Sequence, residues 1–154
     1  MTIHLATDHA GFAHKEVVLN WLKNEGYEVV DHGAISFADE DDFPDFIAKA
    51  ARAVSDSPEI NRAVIFGGSG QGEAIMANRF PNVRAAVYYG GDVQIPVLSR
   101  QHNDSNVLSI GARFVSVDET MKVIWEWLHT ESFKDEKYQR RNQKIETITQ
   151  TIKL

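Results

Sequence analysis

The segment from Ala63 to Glu73 reads AVIFGGSGQGE, and it predicts the fold of the whole chain. Its first four residues are apolar without alternation, which indicates a strand buried on both faces. The glycines that follow allow a tight turn and a close approach of the backbone to a ligand. A helix is then predicted from Glu73 to Asn78. A buried strand that turns into a helix in this way is typical of a parallel α/β sheet.

The same alternation of strand and helix continues in both directions from this segment. Further strands are predicted at Ile3–Thr7, Glu28–Asp31, Arg84–Tyr89 and Val107–Ile110. Further helices are predicted between Phe12 and Gly26, from Pro44 to about Val54, from Asp92 to Arg100, from Asp118 to His129 and from Asp135 onward. Five strands with intervening helices predict a doubly wound parallel α/β sheet. The absence of linkers and repeats predicts a single domain over residues 1–154.

The composition excludes several classes of function. The chain carries 22 Asp and Glu against 16 Lys and Arg, and this net charge of −6 disfavours general nucleic-acid binding. It contains no cysteine, which excludes a disulfide framework, a thiolate nucleophile and a thiolate metal site. No apolar run is long enough to span a bilayer, and the first residues lack the pattern of a signal peptide. We therefore expect a cytoplasmic protein without membrane contacts.

The glycine-rich loop does not fit three familiar motifs. A nucleotide P-loop needs Lys where this chain has Glu73, and a nucleophile elbow needs Gly where it has Gln71. A dinucleotide-binding fingerprint belongs after the first strand, whereas this loop follows the third. What remains is a set of backbone amides, the hydroxyl of Ser69 and one carboxylate. These groups suit abstraction of a proton from carbon and stabilisation of an enolate-type oxyanion. A glutamate in the first turn also stabilises a helix by interacting with its dipole, so a purely structural role for Glu73 stays open.

Two histidines lie where a cleft is expected. His9 follows Asp8 at the end of the first strand, and His102 lies at a helix end before the fifth strand. Imidazole can move protons near neutral pH, although a lone histidine is often structural. Asp8, His9, His102 and Asp104 are possible metal ligands, but their spacing matches no zinc site, so we predict no metal. The acidic run at residues 39–42 lacks the pattern of a calcium loop, and we predict a solvated loop there.

Basic side chains at two places are candidates for binding an anion. Arg113 follows the fifth strand, a position suited to a phosphate group. Lys137, Arg140 and Arg141 lie at helical spacing in the tail, where they share a face. That face is either solvated or reaches over the cleft of a partner subunit.

Several motifs, in order, resemble the type B ribose-5-phosphate isomerases, a family that includes galactose-6-phosphate isomerase subunits. The resemblance runs through nearly the whole chain and rests on TDHAGF at residues 7–12, DFPD at 42–45, GSGQG at 68–72, ANR at 77–79 and RQHNDSNVL at 100–108. It implies a three-layer α/β/α domain, Rossmann-like or flavodoxin-like. It also implies a homodimer or dimer of dimers with shared active sites, in which the C-terminal helix at about 135–150 packs on a partner.

The resemblance further implies an aldose–ketose isomerase that works without cofactor or metal through a 1,2-enediolate. Its leading substrate pair is ribose 5-phosphate and ribulose 5-phosphate. The alternatives are another sugar phosphate (a tetrose, allose or galactose phosphate) or a catalytically silent subunit that binds a phosphosugar. The presence of Asp8, Glu73 and His102, which can transfer protons, disfavours the silent subunit. A protein that only binds a phosphosugar needs no residues for proton transfer.

The residue roles implied by the resemblance form three groups. His102 opens the furanose ring with help from Asp8, and Asn103 binds nearby. The enediolate is held by Ser69 and by the amides of the glycine loop, namely Gly68, Gly70, Gln71 and Gly72. The phosphate is held by His9, Arg113, Lys137, Arg140 and Arg141.

Three departures from the family pattern bear on chemistry and substrate. Many members have a cysteine base just before the glycine loop, where this chain has Gly67. A subset without that cysteine has Gly-Gly-Ser-Gly-x-Gly-Glu and assigns the base to its glutamate, so the role passes to Glu73. Lys137 and Tyr138 stand where the family has Arg-His, and Phe43 replaces a tyrosine. Lysine supplies a charge but not the bidentate fork of arginine, which leaves the substrate open.

Overall fold

The computed structural model describes residues 1–152, so the last two residues of the predicted domain lie outside the described part. Its strands are β1 Thr2–Thr7, β2 Glu28–Asp31, β3 Asn61–Gly67, β4 Ala85–Tyr88 and β5 Val107–Gly111. Its helices are α1 Phe12–Asn24, α2 Phe43–Asp56, α3 Gln71–Ala77, α4 Gln94–Asn103, α5 Val117–Leu128 and α6 Glu136–Thr151. A short 3-10 turn at His9–Gly11 joins β1 to α1. Within these residues, no helix combines the length and the apolar character that crossing a bilayer requires.

The five strands form one parallel sheet in the order β2-β1-β3-β5-β4. From β1 the chain continues to β2 at one edge of the sheet, and from β3 it continues to β4 at the other edge. The direction in which strands are added therefore reverses between the neighbours β1 and β3. Thr7 pairs with Phe66 and Gly67 with Gly111, which brings the carboxyl ends of β1, β3 and β5 to one edge. Ligands of doubly wound folds bind at such a reversal. The predicted α/β class and its five-stranded parallel sheet are confirmed.

Helices cover both faces of the sheet and bury two separate apolar cores. On one face, α1 and α5 pack against the sheet through Val18, Leu22, Ile124 and Trp127. On the other face, α2 and α3 contribute Ile47, Ala50, Val54 and Ala77. Burial on both faces explains why β3 shows no apolar–polar alternation in the sequence.

The last helix does not join either core. No residue of α6 is buried, and the helix packs on α4 through a polar stripe. Glu146 accepts a hydrogen bond from Arg84 at 2.6 Å, and the side-chain amide of Asn142 donates to the carbonyl of His102 at 3.2 Å. Most of the surface of α6 is therefore available to another molecule.

Candidate active site

A cluster of polar side chains and glycines assembles at the carboxyl ends of β1, β3 and β5. We call it the glycine-loop cluster; its members are Asp8, His9, Asp41, residues 67–72, Glu73 and Arg113. Each central strand contributes to it, because Asp8 follows β1, the loop follows β3 and Arg113 follows β5. The parallel topology thus joins residues that are more than 100 positions apart in the sequence.

The glycine loop is held in one shape by bonds to β5 and the turn that follows it. The buried hydroxyl of Ser109 donates to the carbonyl of Gly70 at 2.6 Å. The amides of Ala112 and Arg113 donate to the carbonyls of Gly67 and Gly68 at 2.8 and 3.1 Å. Gly70 has a φ of +75° and lies against the backbone of β5, where a side chain would be strained and crowded.

Two amides of this fixed loop remain available to a ligand. Within residues 1–152, the backbone N–H groups of Ser69 and Gly70 donate to no protein acceptor. The side chain of Ser69 is half-buried at the loop tip and accepts a 3.4 Å contact from the amide of Gln71. Gln71 itself is exposed, and Gly72 lies under the ring of Phe43. Fixed donors of this kind can stabilise an oxyanion without first reorganising.

Glu73 lies in the first turn of α3 with only 4% of its surface exposed. Its carboxyl group covers the Cα of Gly67, so a methyl group built at Gly67 would overlap it. Burial raises the pKa of Glu73, and the negative charge of Asp8 raises it further. A carboxylate that binds its proton more tightly is a stronger base once ionised, which suits proton abstraction from carbon. The helix begins at Gln71, two residues before the predicted start.

Asp8 is held at the end of β1 with 7% of its surface exposed. Its carboxylate accepts a hydrogen bond from the amide of Ala10 at 3.0 Å and so caps the 3-10 turn. The hydroxyl of Thr7 donates to the carbonyls of Asp8 and Phe66 at 2.9 and 3.1 Å, tying this turn to β3. Asp8 therefore reaches the cleft from a rigid position, close enough to influence Glu73.

His9 is bonded to a residue of the acidic loop. Oδ1 of Asp41 lies 2.8 Å from the ring Nδ1 of His9 and accepts from its backbone amide at 2.9 Å. This bond raises the pKa of His9, and the positive charge of Arg113 opposes the effect. The guanidinium group of Arg113 packs against Gly68, where an added Cβ would lie 3.2 Å from it. Arg113 thus places a positive charge beside the glycine loop, and His9 adds a second one when it is protonated, as expected for an anion site.

Asp8, His9 and Asp41 each place one ligand-type atom within 4.8 Å of the others. That arrangement has an explanation without a metal ion, because Nδ1 of His9 and Oδ1 of Asp41 are already bonded to each other. A cation would have to break this bond to use both atoms. Asp39, Glu40 and Asp42 are exposed, as predicted for a solvated loop, but the prediction is wrong for Asp41, whose side chain is 89% buried.

The remaining predicted site residues lie elsewhere. These residues and Tyr138 form a second group, which we call the tail cluster. Its members are His102, Asn103, Lys137, Tyr138, Arg140 and Arg141. His102 lies in the last turn of α4, which runs back to the amino ends of the strands before β5 begins at Val107. The length of β5 alone separates the two edges by about 13 Å. A single chain therefore does not bring His102 to Glu73, contrary to the expectation that both face one cleft.

Aromatic side chains hold His102 within the tail cluster. Its ring stacks on Tyr138 with centroids 4.6 Å apart and planes 4° apart, and Phe133 lies 5.6 Å away. Nζ of Lys137 lies 4.7 Å from the centroid of the Tyr138 ring, and Arg140 pairs with Glu136 at 3.5 Å. Lys137, Arg140 and Arg141 are exposed, as is Asn103, which lines a cavity of about 360 Å³ between β4, α4 and α6.

Sequence reasoning missed two members of these clusters. Asp41 is one of four consecutive acidic residues, and no local pattern tells which of them turns toward His9. Tyr138 was identified only as a departure from the family, and its contact with His102 joins residues 36 positions apart. Neither pairing has a periodic signal that could have revealed it.

Comparison with known proteins identifies the family. The sequence pattern of the ribose/galactose isomerase family matches residues 3–145. The chain belongs to this family. A relative, ribose-5-phosphate isomerase B of Mycobacterium tuberculosis, is 37% identical over 142 residues, which are 92% of this chain and 85% of that protein. The Escherichia coli protein of the same name is 33% identical over 148 residues, 96% of each chain.

A solved structure of this ribose/galactose isomerase family is also similar throughout. Ribose-5-phosphate isomerase B of Mycoplasma genitalium, crystallised with bound ribulose 5-phosphate, has a TM-score of 0.93 at 31% identity. The match covers 98% of this chain and 97% of that one. The predicted family and the predicted class of enzyme, an aldose–ketose isomerase, are confirmed. The roles of individual residues remain predictions.

Proposed function

We propose that this chain interconverts ribose 5-phosphate and ribulose 5-phosphate, with Glu73 as the base that acts on carbon. The observation that carries the proposal is the buried carboxyl of Glu73, which lies over Gly67 at the start of the loop whose Ser69 and Gly70 amides donate to no protein acceptor within residues 1–152. A base and an oxyanion site at adjacent positions are what formation of an enediolate requires.

The reaction begins with opening of the furanose ring. A base takes the proton of the C1 hydroxyl, an acid protonates the ring oxygen, and the bond between C1 and that oxygen breaks to leave an aldehyde. His102 and Asp8 supply this acid and base. Glu73 then takes the proton from C2, and the electron pair forms the enediolate with its charge on O1. Glu73 returns the proton to C1 while the O2 proton moves to O1, which gives the ketose with no net change in atoms.

The phosphate is held at the end of the cleft lined by His9 and Arg113. Arg113 is a cationic donor and protonated His9 is another, and charge-assisted bonds to phosphate are stronger than neutral ones. Lys137, Arg140 and Arg141 complete the phosphate site in this proposal. Ring opening and isomerisation are both driven by proton transfers, so the proposed route uses no metal or other cofactor.

The two clusters are joined when a second copy of the chain packs alongside the first. The glycine-loop cluster of one subunit then receives His102 and the basic residues of α6 from its partner. Exposed apolar side chains on α3 and α6 support this packing, since Ile75 and Ile148 are each 60% exposed and Ile145 is 46% exposed. Apolar surface on elements beside both clusters is expected of a buried interface in a homodimer or dimer of dimers.

Another sugar phosphate remains the second candidate within the same chemistry. Phe43 lies against the glycine loop without the hydroxyl of the family's tyrosine, and Lys137 with Tyr138 replaces an Arg-His pair. Each change alters hydrogen bonding to a sugar or a phosphate but leaves Glu73 in place. A silent subunit is disfavoured, because a binding protein gains nothing from a buried base.

The test is an assay of the purified protein on a panel of aldose and ketose phosphates after dialysis against a chelator. We expect the highest kcat/KM on ribose 5-phosphate and incorporation of solvent deuterium at carbon in recovered sugar. A higher kcat/KM on a tetrose or hexose phosphate would reassign the substrate. Activity that returned only with added divalent metal would overturn the proton-transfer route, and inactivity on every sugar would favour the silent subunit.

A further inference from the structure

We infer that Asp41 is a positioning residue for His9. It orients the imidazole and, through its negative charge, lets the ring donate a hydrogen bond from each of its two nitrogens. The inference rests on the proposed function, in which His9 binds the substrate phosphate. It assigns a specific task to a loop residue that the sequence pattern did not distinguish from its acidic neighbours.

The geometry leaves Asp41 with one set of partners. A single oxygen, Oδ1, faces both the backbone amide and the ring Nδ1 of His9, at 2.9 and 2.8 Å. The other oxygen, Oδ2, is buried and has no hydrogen-bond partner within residues 1–152. The side chain of Asp41 is 89% buried and bonds to one histidine, whereas its acidic neighbours in the loop are exposed.

This bond determines which protons the imidazole can offer. An ionised carboxylate only accepts, so Nδ1 of His9 carries the hydrogen that lies between the two groups. If the imidazole is neutral, Nε2 then has a lone pair and repels a phosphate oxygen. Only the doubly protonated ring donates to Asp41 through Nδ1 and to a phosphate through Nε2. Asp41 must therefore favour the charged form for His9 to bind an anion at neutral pH.

The charges around His9 agree with this task. Asp41 raises the pKa of His9, Asp8 adds to the effect, and Arg113 and partial burial oppose it. Phe37 contacts the ring edge-on at 6.3 Å and brings no charge. Two neighbouring cations, His9 and Arg113, would otherwise repel each other and favour the neutral imidazole. The carboxylate of Asp41 offsets this repulsion, so that both cations can face one dianionic phosphate.

A purely structural role is the alternative, because Asp41 also anchors its loop to the backbone of His9. Asp41→Asn separates the two roles. The amide keeps an oxygen that can accept from both N–H groups of His9, but it removes the negative charge. The matched control is Asp39→Asn, which removes a charge from an exposed position of the same loop.

The experiment follows the imidazole of His9 by NMR titration and measures KM for ribose 5-phosphate from pH 6 to 9 in all three proteins. KM should rise with pH as His9 loses the proton with which it binds phosphate. In Asp41→Asn we expect the pKa of His9 to fall, so this rise of KM should begin at a lower pH. Loss of a charge-assisted bond predicts a KM about 10-fold higher at pH 8, with a smaller change in kcat. Asp39→Asn should match the unchanged protein in both measurements.

The outcomes separate this inference from the function on which it rests. If inorganic phosphate perturbs the His9 resonances and the unchanged protein isomerises ribose 5-phosphate, the proposed site stands. An unaltered pKa of His9 and an unaltered KM profile in Asp41→Asn would then overturn the role of Asp41 alone. If the unchanged protein isomerises no phosphosugar and phosphate leaves His9 unperturbed, the proposed function fails and the inference fails with it.

Discussion

At position 67 the absence of a side chain leaves room for the carboxyl group of Glu73. A base attached to residue 67 and a carboxyl attached to residue 73 would compete for the same space over the loop. In the proposed mechanism, the cysteine that the family resemblance implies before the loop and the glutamate after it are thus sterically alternative ways to place a base at one point. In this chain, the glycine at position 67 leaves the space that the carboxyl of Glu73 occupies.

The exchange of bases can be tested directly. Glu73→Ala should lower kcat by about 10² or more, because it removes the proton acceptor. Adding Gly67→Cys to that variant should restore part of the lost turnover, since the thiol enters the space that the carboxyl vacates. Gly67→Cys alone should be impaired, because it displaces Glu73. No gain in the double variant over Glu73→Ala, with thermal unfolding showing an intact fold, would place the base elsewhere.

The raised pKa of Glu73 predicts a pH dependence. In the proposed mechanism Glu73 acts only when ionised, so kcat should fall as the pH drops through its pKa, at a higher pH than an exposed glutamate would give. Asp8→Asn removes a negative charge that raises this pKa, so the acid limb of kcat should move to lower pH. A tetrose phosphate that cannot cyclise is the substrate of choice, because ring opening then does not limit the rate. An acid limb that stayed in place would contradict coupling between the two carboxyls.

At the scale of elements, α6 differs from every other helix of the fold. It buries no residue, and its contact with α4 passes through His102 and its stacked partner Tyr138. Offset or parallel contacts between rings are worth about 0.5–1.5 kcal/mol. This is enough to fix the orientation of one imidazole but not to hold a helix in place. The polar bonds of Asn142 and Glu146 supply the remaining attachment.

The stack makes a prediction that distinguishes ring orientation from phosphate binding. Tyr138→Phe keeps the ring and should retain turnover on ribose 5-phosphate. Tyr138→Ala should lower kcat on that cyclic substrate by about 2- to 10-fold, which corresponds to the free energy of one ring contact. Its kcat on an acyclic tetrose phosphate should not change. If Tyr138→Phe instead raises KM with kcat unchanged, the hydroxyl binds substrate and the stack is incidental.

At the scale of the whole molecule, the parallel topology separates the two clusters. A helix that follows a parallel strand must return to the amino edge of the sheet before the next strand begins. His102, at the end of such a helix, is therefore carried away from Glu73, at the start of another. Within one chain the clusters cannot meet, and in a symmetric dimer each could meet the partner's counterpart.

Mixing two inactive variants tests this arrangement. Glu73→Gln and His102→Asn, unfolded and refolded together, should recover about a quarter of the original activity on ribose 5-phosphate. About half of the dimers are then mixed, and each of these holds one intact pair of clusters. Either variant refolded alone should stay inactive. No recovery in the mixture, with mixed dimers confirmed by a size tag on one variant, would mean that a single chain forms the site.

The sequence by itself determined the parallel sheet and the place of most of the glycine-loop cluster. Apolar runs mark buried strands whatever lies around them, and a residue just after a parallel strand must lie at the carboxyl edge. Asp8, Glu73 and Arg113 could be placed by that rule alone. Only the tertiary structure decided which side chains from distant segments meet, because the rule places residues at an edge of the sheet but does not pair them. The bond of Asp41 to His9 and the stack of Tyr138 on His102 join segments without a shared period. The separation of His102 from Glu73 depends on the direction in which α4 runs, because a helix reverses the chain and moves its last residue to the far edge of the sheet.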